Sequence, residues 1–359
     1  MHKRNILIMV LLSLLLVFPV VAQDDTDEEG TNTISQIVAD AANADDPQFT
    51  ALLNAIEEAD PAVVGTLGNP EATVTVFAPT DAAFEALSVA TEEEALLDIL
   101  DATDELSRLL LYHVIEGEYT SEDLVAQFEE EGEFTLRTME GQYVEITGMD
   151  DEFFVDDARL LLEMSDIQAS NGVIHVIDAV LVPEMDTIGE MVTRLASSAE
   201  NPQFTQLLSA FEAADPAVME LLSDPTAGVT VFAPTDEAFN ALEDDTRSAL
   251  FGDVDRMTTV LQYHVTDGLN YEQDILDVLV METMEIAEEE TDDTEDAGEA
   301  EDTFQFMLET LTGENLTVRV EPDNTVTVNG VRVVTFDIEA RNGVIHAIDS
   351  VLIPPTDDE

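Results

Sequence analysis

Apolar residues recur at helical spacing from the first ordered-looking stretch onward. In ISQIVADAA, residues Ile34, Ile37, Val38 and Ala41 fall on one helical face, and in PQFTALLNAIEEA the same holds for Phe49, Leu52, Leu53 and Ile56. Asp60-Pro61 then supplies an N-cap followed by proline at the first helical position, and Asp215-Pro216 does so again later. The pattern switches to period two at Val74, where Val76 and Ala78 alternate with Thr75 and Phe77, which predicts a buried strand ended by Pro79. Thr80 or Asp81 caps the helix that begins with Ala82, Ala83 and Phe84, and Thr235 or Asp236 has the same role further on. Two more apolar stretches, LSRLLLYHV and MTTVLQYHV, each end in a Tyr-His pair. A last strand follows the Asn171-Gly172 turn, with Val173, His175 and Ile177 on one face, and Asn342-Gly343 precedes its counterpart carrying His346.

These segments are one module used twice. VTVFAPTDAAF at Val74 to Phe84 returns as VTVFAPTDEAF at Val229 to Phe239, and DPQFTALL at Asp46 returns as NPQFTQLL at Asn201. LLYHV at Leu110 is answered by LQYHV at Leu261, and NGVIHVIDAVLVP at Asn171 by NGVIHAIDSVLIP at Asn342. Val74 and Val229 lie 155 residues apart, His113 and His264 lie 151 apart, and Asn171 and Asn342 lie 171 apart. Whole copies in tandem fit these separations, and a short-period solenoid does not.

The three boxes, VTVFAPTDxAF, Tyr-His and NGVIHxID, resemble the fasciclin-like (FAS1) domain family in order and spacing, twice over, across nearly all of the chain after residue 33. The resemblance implies an α+β fold of two tandem modules, each a helical layer packed on a small twisted β-wedge. It implies a non-enzymatic adhesion or matrix-associated role, and it implicates the region of Tyr112, His113, Tyr263 and His264 in partner contact. Read from the residues alone, the same pairs are packed tyrosines beside hydrogen-bonded histidines that organise a core. Thr80, Asp81, Thr235, Asp236, Asn171, Gly172, His175, Asn342, Gly343 and His346 are expected to be structural.

Domain boundaries follow from the repeats: 34–183 for the first module and 188–354 for the second, joined by the short junction Glu184 to Thr187. Ahead of them, residues 1–22 read as a secretory signal, with Lys3 and Arg4, an apolar run from Ile6 to Val17, and cleavage after Ala22. Residues 23–33 form an acidic flexible leader. The expected location is secreted, or periplasmic and envelope-associated, without membrane insertion of the mature chain. The longer second copy contains residues 285–302, with eleven acids and no large apolar residue after Ile286, which reads as an inserted acidic loop. A calcium loop there fails because Ala297 stands where the EF-hand pattern needs glycine.

Composition narrows the chemistry. Eighty acids face eleven bases, the net charge is −69, and Lys3 is the only lysine. Such a chain repels nucleic acid and anionic lipid. No cysteine is present, so disulfides and thiol chemistry are excluded. No GxSxG elbow or glycine-rich phosphate loop occurs, and no cofactor is expected. A two-histidine, one-carboxylate metal site from His113, His175 and Asp178, or His264, His346 and Asp349, lacks any HxH or HxxxH spacing. The partner that the resemblance implies is a cell-surface or matrix protein or a polysaccharide. The rival reading is a salt-adapted structural surface protein without a specific ligand. Asn315-Leu316-Thr317 fits the N-glycosylation acceptor pattern.

The charge makes a prediction of its own. Carboxylate repulsion reaches about 30 Å at 0.01 M salt and about 3 Å at 1 M, so the melting temperature should climb with ionic strength. Sodium and potassium chloride should act alike, which thermal melts in the two salts check.

Overall fold

Strand β1 (Val74–Pro79) is buried along its whole length because it is covered on both faces. Val74, Val76 and Ala78 face a helical core with Ile34, Leu52, Leu106 and Leu110, whereas Phe77 enters a second core with Tyr112, Ile115, Val144 and Ile177. The alternation seen in the sequence thus divides two apolar cores, and Pro79 remains in the strand as the partner of Ile177. In this computed structural model, the described residues are 32–45, 47–90, 102–149, 152–199, 202–276, 304–321, 323 and 325–355. The signal at 1–22, all but the end of the leader and the acidic loop at 285–302 lie outside them.

The chain divides into two units at Leu181/Val182. In the first, helices α1 (Ile34–Ala42), α2 (Thr50–Glu58) and α3 (Pro61–Gly68) precede β1. The Asp60 carboxylate accepts from the Ala62 N–H at 2.8 Å, which caps α3 ahead of Pro61. After β1 come α4 (Asp81–Ala90), α5 (Thr103–Tyr112), β2 (Val114–Glu116) and α6 (Ser121–Glu131). Strands β3 (Phe134–Arg137), β4 (Tyr143–Met149), β5 (Glu152–Val155) and β6 (Ala158–Arg159) form one antiparallel sheet. A second sheet runs β2-β1-β8-β7, with β7 (Ile167–Ala169) and β8 (Gly172–Ile177). β1 and β8 are parallel at its centre, from Val74 opposite Gly172 to Pro79 opposite Ile177. Bridges at Ile115–Thr138 and Leu160–Ile177 link the two sheets.

The second unit repeats this plan with α7 (Ile188–Ala196), α8 (Thr205–Ala213), α9 (Pro216–Leu222), β9 (Val229–Pro234), α10 (Asp236–Asn240), α11 (Asp244–Phe251), α12 (Val254–Tyr263) and β10 (Val265–Asp267). Its remaining strands are β11 (Phe304–Glu309), β12 (Asn315–Val320), β13 (Val326–Val328), β14 (Val331–Ala340) and β15 (Gly343–Ile348). They make a single sheet in the order β10-β9-β15-β14-β13-β12-β11. The two sheets of the first unit become one here because ten-residue β14 passes from β13 to β15. The first unit interrupts the corresponding stretch with a 3-10 turn at Leu162–Met164. Mixed helix and strand, in two tandem modules, is the α+β arrangement that the repeats imply.

The Asn-Gly pair does more than turn the chain. The Asn171 side chain accepts from the Ile34 N–H at 2.9 Å and donates to the Leu67 carbonyl at 3.0 Å, while its own carbonyl accepts from the Val74 N–H at 3.1 Å. The start of α1, the end of α3 and the start of β1 are thereby held by one residue. Asn342 makes the matching bonds with Ile188 (2.8 Å), Leu222 (3.0 Å) and Val229 (3.1 Å). Glycine follows for a steric reason: a β-carbon on Gly172, at φ +141, would sit 1.7 Å from the Val74 carbonyl oxygen, and one on Gly343 would sit 2.0 Å from that of Val229. Gly172→Ala and Gly343→Ala should each destabilise the module that carries them by about 4 kcal/mol or more, read by denaturant unfolding.

Candidate functional site

The Tyr-His pair of each module lies at the end of one helix. Helix α5 ends at Tyr112, with His113 as its C-cap, and β2 follows at once. His113 is buried, with Nδ1 2.7 Å from the Leu109 carbonyl, while its Nε2 accepts from the Leu181 N–H at 2.9 Å. An amide donor at Nε2 requires that nitrogen to be bare, so the ring proton is on Nδ1 and is donated to Leu109. Burial pushes the imidazole pKa down to about 4, against the raising effect of that carbonyl. His264 repeats every part: Nδ1 to the Val260 carbonyl at 2.7 Å, Nε2 to the Leu352 N–H at 2.9 Å, and a pKa near about 4 from burial. Each histidine thus ties a helix end to the segment that leaves the last strand.

The neighbouring tyrosines reach a tight turn in the β-wedge. Tyr112 is buried, and its hydroxyl lies 3.0 Å from the Tyr143 carbonyl and 3.0 Å from Asp156 Oδ2. Asp156 is in the left-handed region (φ +50), and burial raises its pKa. In the second module Asn329 (φ +50) donates from its amide to the Tyr263 hydroxyl at 2.8 Å. The carboxylate of one copy is the amide of the other, at the same left-handed turn.

His175 and His346, both 0 % exposed, project from β8 and β15. The Nε2–H of His175 donates to the Tyr119 carbonyl at 2.7 Å, and that of His346 to the Asn270 carbonyl at 2.6 Å. Phe77 stacks on His175 with centroids 5.8 Å apart, and Phe232 lies tilted against His346 at 5.6 Å. Thr80 and Thr235 cap the helices they precede, accepting from the Ala83 and Ala238 N–H groups at 3.2 Å. The aspartates beside them do something else. Asp81 accepts from the Ala51 N–H (2.8 Å) and Asp236 from the Gln206 N–H (2.8 Å), so each caps the helix thirty residues earlier. Either-or capping of one helix is therefore replaced by simultaneous capping of two.

The two-histidine, one-carboxylate constellation is not assembled. Both ring nitrogens of His113 are taken by main chain, and Asp178 accepts from the Arg159 N–H (2.8 Å) and Nε (3.1 Å). Among the described residues, no group of three or more histidine, aspartate and glutamate side chains is placed to hold an ion.

The Fasciclin domain family model matches residues 47–183 and 202–354. The chain belongs to the fasciclin family. Similar proteins include Protein sll1483 of Synechocystis, 34% identical over 170 residues, covering 46% of this chain and 86% of that protein. Transforming growth factor-beta-induced protein ig-h3 of Sus scrofa is 30% identical over 253 residues, which is 69% of this chain and 30% of ig-h3. A solved FAS1 domain pair from the insect cell adhesion molecule Fasciclin I covers 85% of this chain and 96% of its own, at 19% identity and a TM-score of 0.36. This fasciclin-domain chain therefore spans less than a third of ig-h3, and no helix among its described residues is long and apolar enough to cross a membrane.

Sequence reasoning missed four residues whose side chains complete or border these networks, namely Asp156, Asp166, Asn329 and Asp337. All four have positive φ, and Asp or Asn is the signal for that backbone, but no spacing identifies the distant partner. His113→Ala and His264→Ala should each cost about 1–3 kcal/mol, because each leaves a buried carbonyl and a buried amide unpaired. The depressed histidine pKa adds a sign: this contribution is present above pH about 6.5 and fades as pH falls toward about 4. Urea unfolding of each variant across that range measures both effects.

Proposed function

We propose that the protein is an exported, non-enzymatic binding module that holds a cell-surface or matrix partner, a protein or a polysaccharide, through its fasciclin domains. One observation carries this reading: the polar residues of all three repeated boxes are occupied in holding elements of the fold together, which leaves recognition to side chains on the surface above them. Family membership supports an adhesive role, and the signal pattern of residues 1–22, with cleavage near Ala22, supports export to the envelope or beyond. The acidity disfavours nucleic acid and anionic lipid as partners.

Within this reading Tyr112, His113, Tyr263 and His264 act from beneath, by fixing the position of a surface loop. The Met139 N–H donates to the carbonyl of Val114, the residue after His113, at 2.7 Å, and the Leu311 N–H donates to that of Val265 at 2.9 Å. Met139 and Leu311 are 41 % and 40 % exposed. Each module thus presents one large apolar side chain on a backbone anchored to its Tyr-His turn, and a partner of apolar and cationic character suits such a point on an acidic surface.

A second reading, a salt-adapted surface component without a specific ligand, is favoured by the net charge of −69 with a single lysine. Retention of the exported protein on envelope or matrix fractions separates the two. Met139→Glu with Leu311→Glu should cut retention about tenfold or more with unchanged melting, since loss of an apolar anchor at an interface typically exceeds 1 kcal/mol. Retention absent in the parent protein would favour the ligand-free reading, and retention unaltered by both changes would place the contact away from Met139 and Leu311.

A further inference from the structure

In the wedge of the second module, the residues facing away from the core line up in rows across the sheet. Leu316, Val318, Val320, Val326, Val328 and Val333 belong to the core, so the residues that alternate with them lie on the outer face. The register sets Gln305 opposite Arg319, Arg319 opposite Thr327, and Thr327 opposite Arg332. One straight row thus crosses β11, β12, β13 and β14, with arginine at its second and fourth places. Neighbouring strands lie about 4.8 Å apart, which sets the two arginines about 10 Å from one another.

Both arginines are exposed, and neither makes an ion pair among the described residues, although Arg108, Arg159, Arg194 and Arg247 all do. With eighty acids for eleven bases, a paired arginine is the default in this chain. Arg319 donates from Nε to the Gln305 side chain at 3.0 Å, which aligns its guanidinium with the row, and Asp349 accepts from the main-chain N–H of Arg332 at 3.3 Å. Asp323, in the turn before β13, has its pKa lowered by its bonds to Thr325 first and by Arg332 last. Among the outward positions of β11, β12 and β13 the one carboxylate is Glu309, and the remaining neighbours are Asn315, Thr317 and Met307, which is 65 % exposed. The first module lacks this row. Its corresponding positions are Thr147, Phe154 and Arg159, and Arg159 is held by Glu152 at 2.9 Å and Asp178 at 3.1 Å.

We infer that the row Gln305, Arg319, Thr327 and Arg332 binds an acidic polysaccharide with one carboxylate per disaccharide, successive carboxylates meeting the two arginines and the hydroxyls between them meeting Thr327 and Gln305. The inference rests on the reading of the protein as an exported binding module, and it names the partner of one face. An extended disaccharide matches the arginine spacing, and each guanidinium offers a planar fork of donors to a carboxylate. Protein interfaces are centred on apolar and aromatic anchors, whereas these outward positions carry one methionine and no aromatic ring. Duplex nucleic acid brings a charge about every 1.7 Å and is repelled by so acidic a chain, but a glycan charged once per disaccharide is sparse enough to approach. At physiological salt, screening over about 8 Å confines the repulsion from the rest of the molecule to near neighbours. Leu311 lies apart from the row, in the turn at the other end of the β11–β12 hairpin.

The test uses the full chain and unsulfated chondroitin, a soluble glycan with one carboxylate per disaccharide, at about 0.15 M salt. Calorimetric titration should show binding to chondroitin and none to neutral dextran. Arg319→Gln and Arg332→Gln should each weaken it about tenfold, the loss of one charge-assisted contact, with the melting temperature unchanged. Arg159→Gln removes the same charge from the first module and should leave the affinity as it was. Equal weakening by Arg159→Gln would reduce the effect to net charge and overturn the row. Polyglutamate bound as tightly as chondroitin would assign the row to an acidic peptide, and dimerisation of the parent abolished by both arginine changes would assign it to a second copy. Either result overturns the glycan. A parent that ignores chondroitin yet is retained on envelope or matrix fractions would sink this inference alone, whereas a parent that does neither removes the binding-module reading as well.

Discussion

One asparagine in each module sets where three elements meet. Asn171 and Asn342 each satisfy the first amide of a helix, the last carbonyls of another and the opening amide of the central strand. The first two are helix-end groups that have no partner within their own helices, and burial would otherwise leave all three unpaired. The glycine after it allows β1 and β8, or β9 and β15, to begin their parallel pairing in direct contact. Everything else in the module is positioned from this corner: the two cores divided by the central strand, the helix that ends in Tyr-His, and the wedge on which the tyrosine hydroxyl rests.

Much of this was legible before any coordinates, and what was not shares a cause. Periodicity located Ile34, Val38, Leu52 and Ile56 on their helices, and the Thr80 cap and the Asp60-Pro61 helix start follow from local chemistry. The Asp81 carboxylate could be assigned to a cap but not to the right helix, because its recipient, Ala51, is thirty residues away and nothing local marks it. The Asn-Gly pair signals a turn whether or not its side chain reaches across the module. The continuity of β14, against the 3-10 interruption in the first copy, depends on packing over ten residues and leaves no periodic trace. For the histidines, the apolar neighbours implied burial, whereas the tautomers and the amides that fix them are properties of the assembled site.

Duplication supplies an internal comparison. Where both copies keep the same bond, as at His113 and His264, the geometry agrees to 0.1 Å or better at both ring nitrogens. Where the residue differs, the role is kept by different chemistry: Asp156 accepts from a tyrosine hydroxyl, and Asn329 donates to one. Ser121 and Glu272 occupy equivalent places, yet Ser121 donates both its N–H and its hydroxyl to Asp166, whereas Glu272 gives Asp337 its N–H alone. The fold constrains the hydrogen-bond graph more tightly than it constrains the residues.

Fastening at entry and exit has a mechanical meaning. The chain enters the first module at Ile34, whose amide is clasped by Asn171, and leaves at Leu181, whose amide is clasped by His113. Tension applied along the polypeptide loads these two bonds, inside the protein and shielded from competing water, together with the one between the Ser170 amide and the Asn32 carbonyl. A module loaded this way resists as a buckle does, with the strap locked at each end, and the parallel strands behind the buckle bear force only after a clasp has opened.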